Sequence, residues 1–544
     1  MLNVGQLLKE EKYEELWNIC CGFLDLDVDQ FVSIQNELLL EQLEHLKKCK
    51  LGRKVMRNAM PETVEEFRNL VPVTTYADYC PELLERNEDV LPVKPHKWIQ
   101  TSGRSGEYPY KWIPVTRTFW EEAGQDFCAI GLLGSCKDKY DIGFKKGLRL
   151  LYAASQSPCL TGAVAQQLSE DSIFQFIPPL DESEQSSFDD RIKKGQKIAL
   201  EEGTDGFFGL AGVLVALGEK YRSGSDSTSI LKLLKHPRTL LRLARGKIVS
   251  KLARRQMLPK DLWKLKVIVS MGTDSVIYKE RIKELWGRAP LDVYGNTEST
   301  VLATQMWDYD NMVFFPNLNF LEFIPEEEHV KWQQDKNYRP KTVLLNEVQP
   351  GECYELVITN LHGGALVRYS LGDMIRITSL KNDKLHINLP QMRFERRADD
   401  LIDLGFLRLT ERTIWQALEN SEIPYIGWTA KKDIDESKSK LHLYIELQED
   451  NNLTDDEIAK MVYEQIKHID DGLYVYREIN NLEKLIDFKP IEVTILPTGV
   501  FADYKLRRQI EGSSLAHLRP PHINPSDNIL SQLCNQTGET VKIN

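Results

Sequence analysis

LKVIVSMGTDS, Leu265 to Ser275, and VYGNTEST, Val293 to Thr300, decide how this chain is read. The first is an apolar run ending in a turn of small residues. The second is a short run, a turn and an acidic residue. Short apolar runs bounded by turn residues form strands, and YELVIT, Tyr354 to Thr359, reads the same way. Helical patterns separate them, a mixture that predicts an α/β fold. Upstream, Phe31, Ile34, Leu38, Leu39, Leu43 and Leu46 recur at three and four, which predicts an amphipathic helix over Asp27 to Lys48. The polar stretches DESEQSSFDD (Asp181 to Asp190), SGSDSTS (Ser223 to Ser229) and EEEHVKWQQDKNYRP (Glu326 to Pro340) are expected to be surface connections.

The texture changes at RFERRADDLIDLGF, Arg393 to Phe406, where a charged turn precedes a new helix, TERTIWQALEN, and an alternating strand, LHLYIEL. A second strand, IEVTIL, precedes a turn and a basic segment. The expected organisation is a large N-terminal domain, 1–395, and a smaller C-terminal α+β domain, 396–544, whose last twenty or so residues read as a polar tail.

The 544 residues carry a formal charge of -12, with 42% hydrophobic and 28% charged residues. An acidic chain of this balance argues against nucleic acid as a partner and favours small-molecule chemistry. The N-terminus turns charged within nine residues, so no export is expected. The run GFFGLAGVLVALG, Gly206 to Gly218, is shorter than the roughly 20 residues of a membrane span, so no stable membrane insertion is expected. Nine cysteines without CxxC pairs fit a reducing cytoplasm, and Cys20 and Cys21 read as buried small hydrophobes.

QTSGRSGEYPYK, Gln100 to Lys111, is a loop of small residues whose amides are free to face an anion such as phosphate, or simply a turn. From Leu231 to Lys260 there are nine Lys or Arg before Lys260 and no acid. This basic segment is either a solvated helix face or a contact for CoA phosphates, an anionic carrier protein or a membrane surface. Phe207 to Leu217 is either core or the wall of an apolar acid pocket.

Taken in order, the QTSGRSGEYPYK loop, LKVIVSMGTDS, VYGNTEST, YELVITNLHGGALVRYSLGDMIRI and RRADDLIDLGF resemble the signature of acyl-adenylate-forming enzymes, the superfamily of acyl-CoA synthetases, firefly luciferase and peptide-synthetase adenylation domains. EEFRNLVPVTTYADYCPEL, FLEFIPEE, PQMRFERR and ILPTGVFADYKLRRQIEGSSLAHLRPPHIN bring the chain closest to the Gretchen Hagen, auxin-responsive family of acyl acid amido synthetases. That family joins auxin, jasmonate or benzoate-type acids to amino acids. Phenylacetate-CoA ligase is a second relative.

The resemblance implies a large acyl-adenylate-forming domain of layered β-sheets and helices, a mobile small domain, and ATP and Mg²⁺ as cofactors. It implies that Thr101, Ser102, Gly103, Arg104, Ser105, Gly106 and Lys111 bind the nucleotide's phosphates. Tyr294, Gly295, Asn296, Thr297 and Glu298 match the Tyr-Gly-x-Thr-Glu element, with the tyrosine near adenine, the threonine at the α-phosphate and the glutamate on Mg²⁺, a hard cation suited to carboxylate oxygen. Gly272 matches the turn against adenine and the acyl group. Asp373, preceded by Arg368 and Tyr369, resembles the aspartate on the ribose hydroxyls; Arg397 matches the arginine that reaches the nucleotide; and Asp399 lies at the interdomain hinge. Two departures stand out. Arg104 replaces a hydroxyl residue of the loop, and Arg519 in AHLRPPH takes the place of the adenylation lysine, for which Lys505 is the rival.

The implied activity is ATP-dependent activation of a small carboxylic acid, followed by transfer of the acyl group to an amine, an amino acid. An AMP-forming acid-CoA ligase and a catalytically degenerate nucleotide- or acyl-binding protein are the alternatives.

Overall fold

Asp27 opens the first long helix, Val28–Lys48, through a reciprocal capping box: its carboxylate accepts from the Gln30 amide at 2.8 Å, and the Gln30 side chain accepts from the Asp27 amide at 3.0 Å. Capping satisfies amides that the first turn leaves unpaired. Asp27→Ala should therefore cost about 1 kcal/mol in urea unfolding. The helix buries Phe31, Leu39, Leu43 and Leu46 as its periodicity requires, but it also buries Gln35 and Gln42. Gln35 donates to the Asn319 carbonyl at 2.6 Å and accepts from the Leu321 amide at 3.2 Å. Gln42 donates to the Gly364 carbonyl at 2.8 Å and accepts from the Gly363 amide at 2.7 Å. Gln35 thus binds the helix to the edge strand Asn319–Pro325, and Gln42 binds it to the turn that follows Cys353–Asn360.

A computed structural model of the chain describes residues 4–101, 111–143, 147–154, 156–170, 173–183, 186, 188–223, 237–271, 275–335, 337–398, 401–404, 408–435, 438–448, 453–469, 490–510 and 520–534. The fold is mixed α/β, with an 11-stranded sheet as its largest element. Across that sheet the strands run Asn319–Pro325, Cys353–Asn360, Tyr369–Ser379, Gln391–Arg397, Met312–Phe314, Ala303–Gln305, Leu291–Tyr294, Val267–Met271, Gly206–Leu210, Leu148–Ala153 and Phe174–Ile177. The last five pair in parallel and the others antiparallel. The parallel strands are apolar along nearly their whole length, as strands covered on both faces must be. Phe207 and Phe208 are buried in one of them, and Val213, Leu214 and Leu217 are buried in the helix Ala211–Ser223 that follows, so this stretch is core.

The chain divides into two units: residues 1–102 with 110–398, and 103–109 with 399–544. In the second, Tyr425–Asp435 and Lys438–Leu447 form an antiparallel hairpin, and Ile491–Ile495 adds in parallel. Leu441, Leu443 and Ile445 alternate toward one face, where they share a core with Ile414, Leu418, Ile458 and Val462 of the helices Glu411–Asn420 and Asp455–Ile469.

Three expected loops or tails are partly helical. Glu326–Gln334 is a helix whose first turn holds Glu326, Glu327 and Glu328, which suit the positive end of its dipole, while His329 is buried against Glu355 at 2.5 Å. The stretch from Asp181 to Asp190 overlaps the helices Leu180–Ser183 and Phe188–Glu202. Within the expected polar tail, Asp527–Cys534 is a helix that buries Leu530 and Leu533. SGSDSTS from residue 224 onward lies outside the described residues.

Candidate functional site

Leu291–Tyr294 is the last parallel strand, and its carboxyl end leads into the turn 295–300. Crevices beyond the carboxyl ends of strands are where open α/β sheets bind ligands. The turn is tightly specified. A Cβ on Gly295 would stand 2.5 Å from the Thr300 carbonyl oxygen, so no side chain fits there. Asn296 accepts from the Ser299 amide and hydroxyl, each at 2.9 Å, and its carbonyl accepts from the Thr300 amide at 2.7 Å. From outside the turn, Asn360 donates to the Glu298 carbonyl at 3.0 Å and Asn319 to the Ser299 carbonyl at 2.9 Å.

This scaffold presents Glu298 to Lys111. The ammonium donates to Glu298 Oε1 at 3.1 Å and to the Tyr369 hydroxyl at 2.9 Å. It also lies 5.6 Å from the ring centres of both Tyr76 and Tyr369. Burial opposes the charge on Glu298, but the attraction and hydrogen bond of Lys111, with Arg397 beyond, bring its carboxyl below the ordinary value of 4.5. Glu298 is therefore an ionised carboxylate in a largely desolvated position.

Lys111 is placed by a hairpin. Lys97–Gln100 and Trp112–Val115 pair antiparallel, and beyond them the Thr101 amide donates to the Lys111 carbonyl at 3.0 Å while the Lys111 amide donates to Thr101 Oγ1 at 2.9 Å. Thr101 thus closes the neck of the small-residue loop. Tyr76 braces the same neck, its hydroxyl accepting from the Trp112 amide at 2.9 Å.

A second cluster adjoins the first. Asp373 and Arg397 are register partners on neighbouring strands, and the guanidinium donates to Asp373 Oδ1 at 2.5 Å. Tyr294 donates to Asp373 Oδ2 at 2.8 Å. Burial, reinforced by Asp373, holds the Tyr294 phenol well above its usual value, so it remains a donor. A carboxylate has about four acceptor positions, so Asp373 can serve Tyr294 and Arg397 at the same time.

The structure brings Lys111, Tyr294, Glu298, Asp373 and Arg397 together, with Thr101, Gly295 and Asn296 shaping the backbone around them. Thr297 sits in the same turn, between Asn296 and Glu298. Lys505 is exposed on the helix Val500–Ile510 of the second unit. Ser102, Gly103, Arg104, Ser105, Gly106, Gly272, Asp399 and Arg519 lie outside the described residues.

Arg368, next to Tyr369 in sequence, belongs to the framework. Its guanidinium grips Glu322 bidentately at 2.9 and 2.8 Å and donates to the Arg68 and Val71 carbonyls at 2.6 and 2.5 Å, all largely buried. The motifs leave Tyr369, Tyr76 and Asn360 without roles. Only Tyr369 carried a usable signal, its place four residues before Asp373 on the same strand.

Models of two GH3 domains match the chain: the GH3 family N-terminal domain over residues 21–186 and the GH3 family central domain over 312–397. The central match contains Asp373 and Arg397. An indole-3-acetic acid-amido synthetase, GH3.4 of Arabidopsis thaliana, is 28% identical over 221 residues, which is 38% of this chain and 34% of that protein. The similarity thus spans about a third of that relative's length. Among solved structures, the AtGH3.15 acyl acid amido synthetase in complex with 2,4-DB is 19% identical, covers 94% of this chain and 95% of its own, and has a TM-score of 0.51. A 2-hydroxyisobutyryl-CoA ligase in complex with 2-HIB-AMP and CoA is 16% identical, covers 89% of this chain and 92% of its own, and has a TM-score of 0.53. These two structures share the fold. The chain is thus similar to the GH3 family over two stretches, 21–186 and 312–397, with the Tyr-Gly-Asn-Thr-Glu turn lying between them and the aspartate–arginine pair inside the second.

Proposed function

We propose that the chain is an ATP- and Mg²⁺-dependent ligase that activates a small carboxylic acid as its acyl-adenylate and passes the acyl group to an amine, an amino acid. The observation that carries this reading is the half-buried Lys111–Glu298 pair beside the Tyr294–Asp373–Arg397 cluster at the carboxyl end of a parallel strand. In the first half-reaction a carboxylate oxygen bonds to the α-phosphorus of ATP as the bond to pyrophosphate breaks. In the second, an amine nitrogen bonds to the acyl carbon, AMP leaves and the nitrogen loses a proton. The chain's part is to hold the groups in line and balance the charge.

Asp373 and Arg397 would hold the nucleoside, with Tyr294 against the base. Lys111, Thr297 and the 101–106 loop would bind phosphates. Among the described residues no group of three or more His, Cys, Asp or Glu could hold a metal. Glu298, ionised and desolvated, fits a Mg²⁺ that takes its remaining oxygens from phosphate and water, as Mg²⁺ commonly does. Bound there, the ion would offset charge on the triphosphate.

The first unit ends at Ala398, which supports a hinge at Asp399 and a second unit that rotates between half-reactions. All nine cysteines are free thiols, which supports a cytoplasmic setting. No helix among the described residues is long and apolar enough to cross a membrane.

The test is acid-dependent pyrophosphate release from ATP with a panel of aryl and fatty acids, repeated with amino acids or CoA and the product identified by mass. An amide supports the proposal; a thioester favours the acid-CoA ligase reading, for which the shared fold with a CoA ligase speaks. Neither acid-dependent release nor nucleotide binding would overturn both. If Lys505 serves adenylation, Lys505→Ala lowers the first half-reaction by about a hundredfold while nucleotide binding persists. If Arg519 holds that place instead, Arg519→Lys keeps or raises the rate and Lys505→Ala leaves it unchanged.

A further inference from the structure

The helix Pro237–Leu252 fully buries only small and polar residues, keeps Leu240 and Leu243 half-buried, and turns three of its apolar side chains outward. Thr239, Gly246 and Ser250 are its buried residues, whereas Leu241, Ile248 and Leu252 are 72%, 61% and 81% exposed. At about 100° per residue, the three apolar side chains fall within about 40° of one another, on the side opposite the buried three. The inward docking is specific. Thr239 donates to the Leu200 carbonyl at 3.1 Å, Arg242 donates to the same carbonyl, and a Cβ on Gly246 would stand 2.8 Å from Leu262 and 2.9 Å from Met257. The outward stripe is thus fixed by the fold.

Four of the twelve exposed large hydrophobics among the described residues lie in this helix, counting Val249, and the others are scattered. Scattered apolar residues are ordinary; a stripe signals a partner. Charge identifies its chemistry. Arg238, Arg245, Lys247, Lys251 and Arg254 are exposed in or just beyond the helix, and residues 237–260 contain no Asp or Glu. Arg255 is engaged, in a bidentate pair with Asp261 at 2.7 and 2.8 Å.

We propose that this helix docks the protein peripherally on an anionic lipid surface, with Leu241, Ile248 and Leu252 entering the headgroup–acyl boundary and the flanking cations meeting the headgroups. An aliphatic stripe rimmed by Lys and Arg on long apolar stems is the composition that lies in a membrane interface. The helix is about 24 Å long and strongly basic, so it lies on the surface and does not span it. A protein partner fits less well. The stripe has no aromatic residue, whereas protein interfaces are anchored by Tyr and Trp seated in pockets. This inference is independent of the ligase reading.

The test is co-sedimentation of the intact protein with vesicles of phosphatidylcholine alone or mixed with phosphatidylserine, at low and at physiological salt. Binding is expected on the mixed vesicles and should weaken as salt rises. The triple variant Leu241→Ser, Ile248→Ser, Leu252→Ser should bind at least about tenfold more weakly. Its Tm should not fall, because those side chains are exposed. Lys247→Glu with Lys251→Glu should lose the preference for phosphatidylserine, by about fivefold for each cation at low salt. Absence of binding to the mixed vesicles, or equal binding by wild type and the triple variant, overturns the proposal. So does a wild-type dimer that the serine substitutions convert to a monomer in light scattering, since the stripe then belongs to a second copy. Binding to poly-glutamate without binding to vesicles overturns it in favour of an acidic protein.

Discussion

Glu298→Gln is expected to lower acid-dependent pyrophosphate release by about 10²- to 10³-fold, the cost of removing one preorganised charge from a desolvated site. Glutamine keeps the shape of the side chain, and the Asn360 bond to the residue 298 carbonyl survives, so the turn should hold. What is lost is the anion that Lys111 faces at 3.1 Å and that a metal ion would bind. The loss should fall on kcat with Mg²⁺·ATP, and circular dichroism should show an unchanged fold. Lys111→Met should slow the same step, and the double variant should cost less than the two losses combined, because the two groups contact each other. Equal rates for wild type and Glu298→Gln would remove this residue from the site. The pH response has a defined sign. The folded carboxyl lies below its ordinary value of 4.5, so the pair's stabilisation is present above that value and is lost as pH falls through the lowered one. Any acid limb of the rate profile above 4.5 must come from another group.

Glu322→Leu is expected to destabilise the protein by about 3–5 kcal/mol, because it strands a buried guanidinium. Arg368 and Glu322 have side chains only 4% and 1% exposed, and their pairing is bidentate. The measurement is urea unfolding of the intact chain. Adding Arg368→Met to Glu322→Leu should recover much of the loss, since removing both charges removes the desolvation penalty with them. A loss below about 1 kcal/mol for Glu322→Leu would mean that water reaches the guanidinium, as in a surface pair. The consequence reaches the site through one covalent step. Arg368 adjoins Tyr369, whose hydroxyl accepts from Lys111 at 2.9 Å, so activity should fall together with stability.

The strands, the Val28–Lys48 helix and the Tyr-Gly-Asn-Thr-Glu turn were legible because local periodicity and turn chemistry encode them. The charged stretch Glu326–Gln334 was misjudged as a loop. Its composition is polar, yet its glutamates stabilise a helix start and its one buried residue, His329, finds Glu355 of the strand Cys353–Asn360. The last segment was misjudged for a similar reason, since Leu530 and Leu533 acquire a core only when Tyr444 and Val500 are brought to them.

By itself the sequence singled out Lys111, Glu298, Asp373 and Arg397 as candidates, because ordered motifs name residue types whatever their distance in the chain. Tertiary structure alone decided their pairing: Lys111 with Glu298, 187 residues apart, and Tyr294 with Asp373, 79 apart. It also decided that Gln35, Gln42, Arg368 and Glu322 would be buried and that Leu241, Ile248 and Leu252 would not. Hydropathy assigns a side chain its preference, but burial depends on which partners long-range packing delivers. A polar group whose bonds are all met can lie in the core, and an apolar group that packing leaves without a partner stays on the surface.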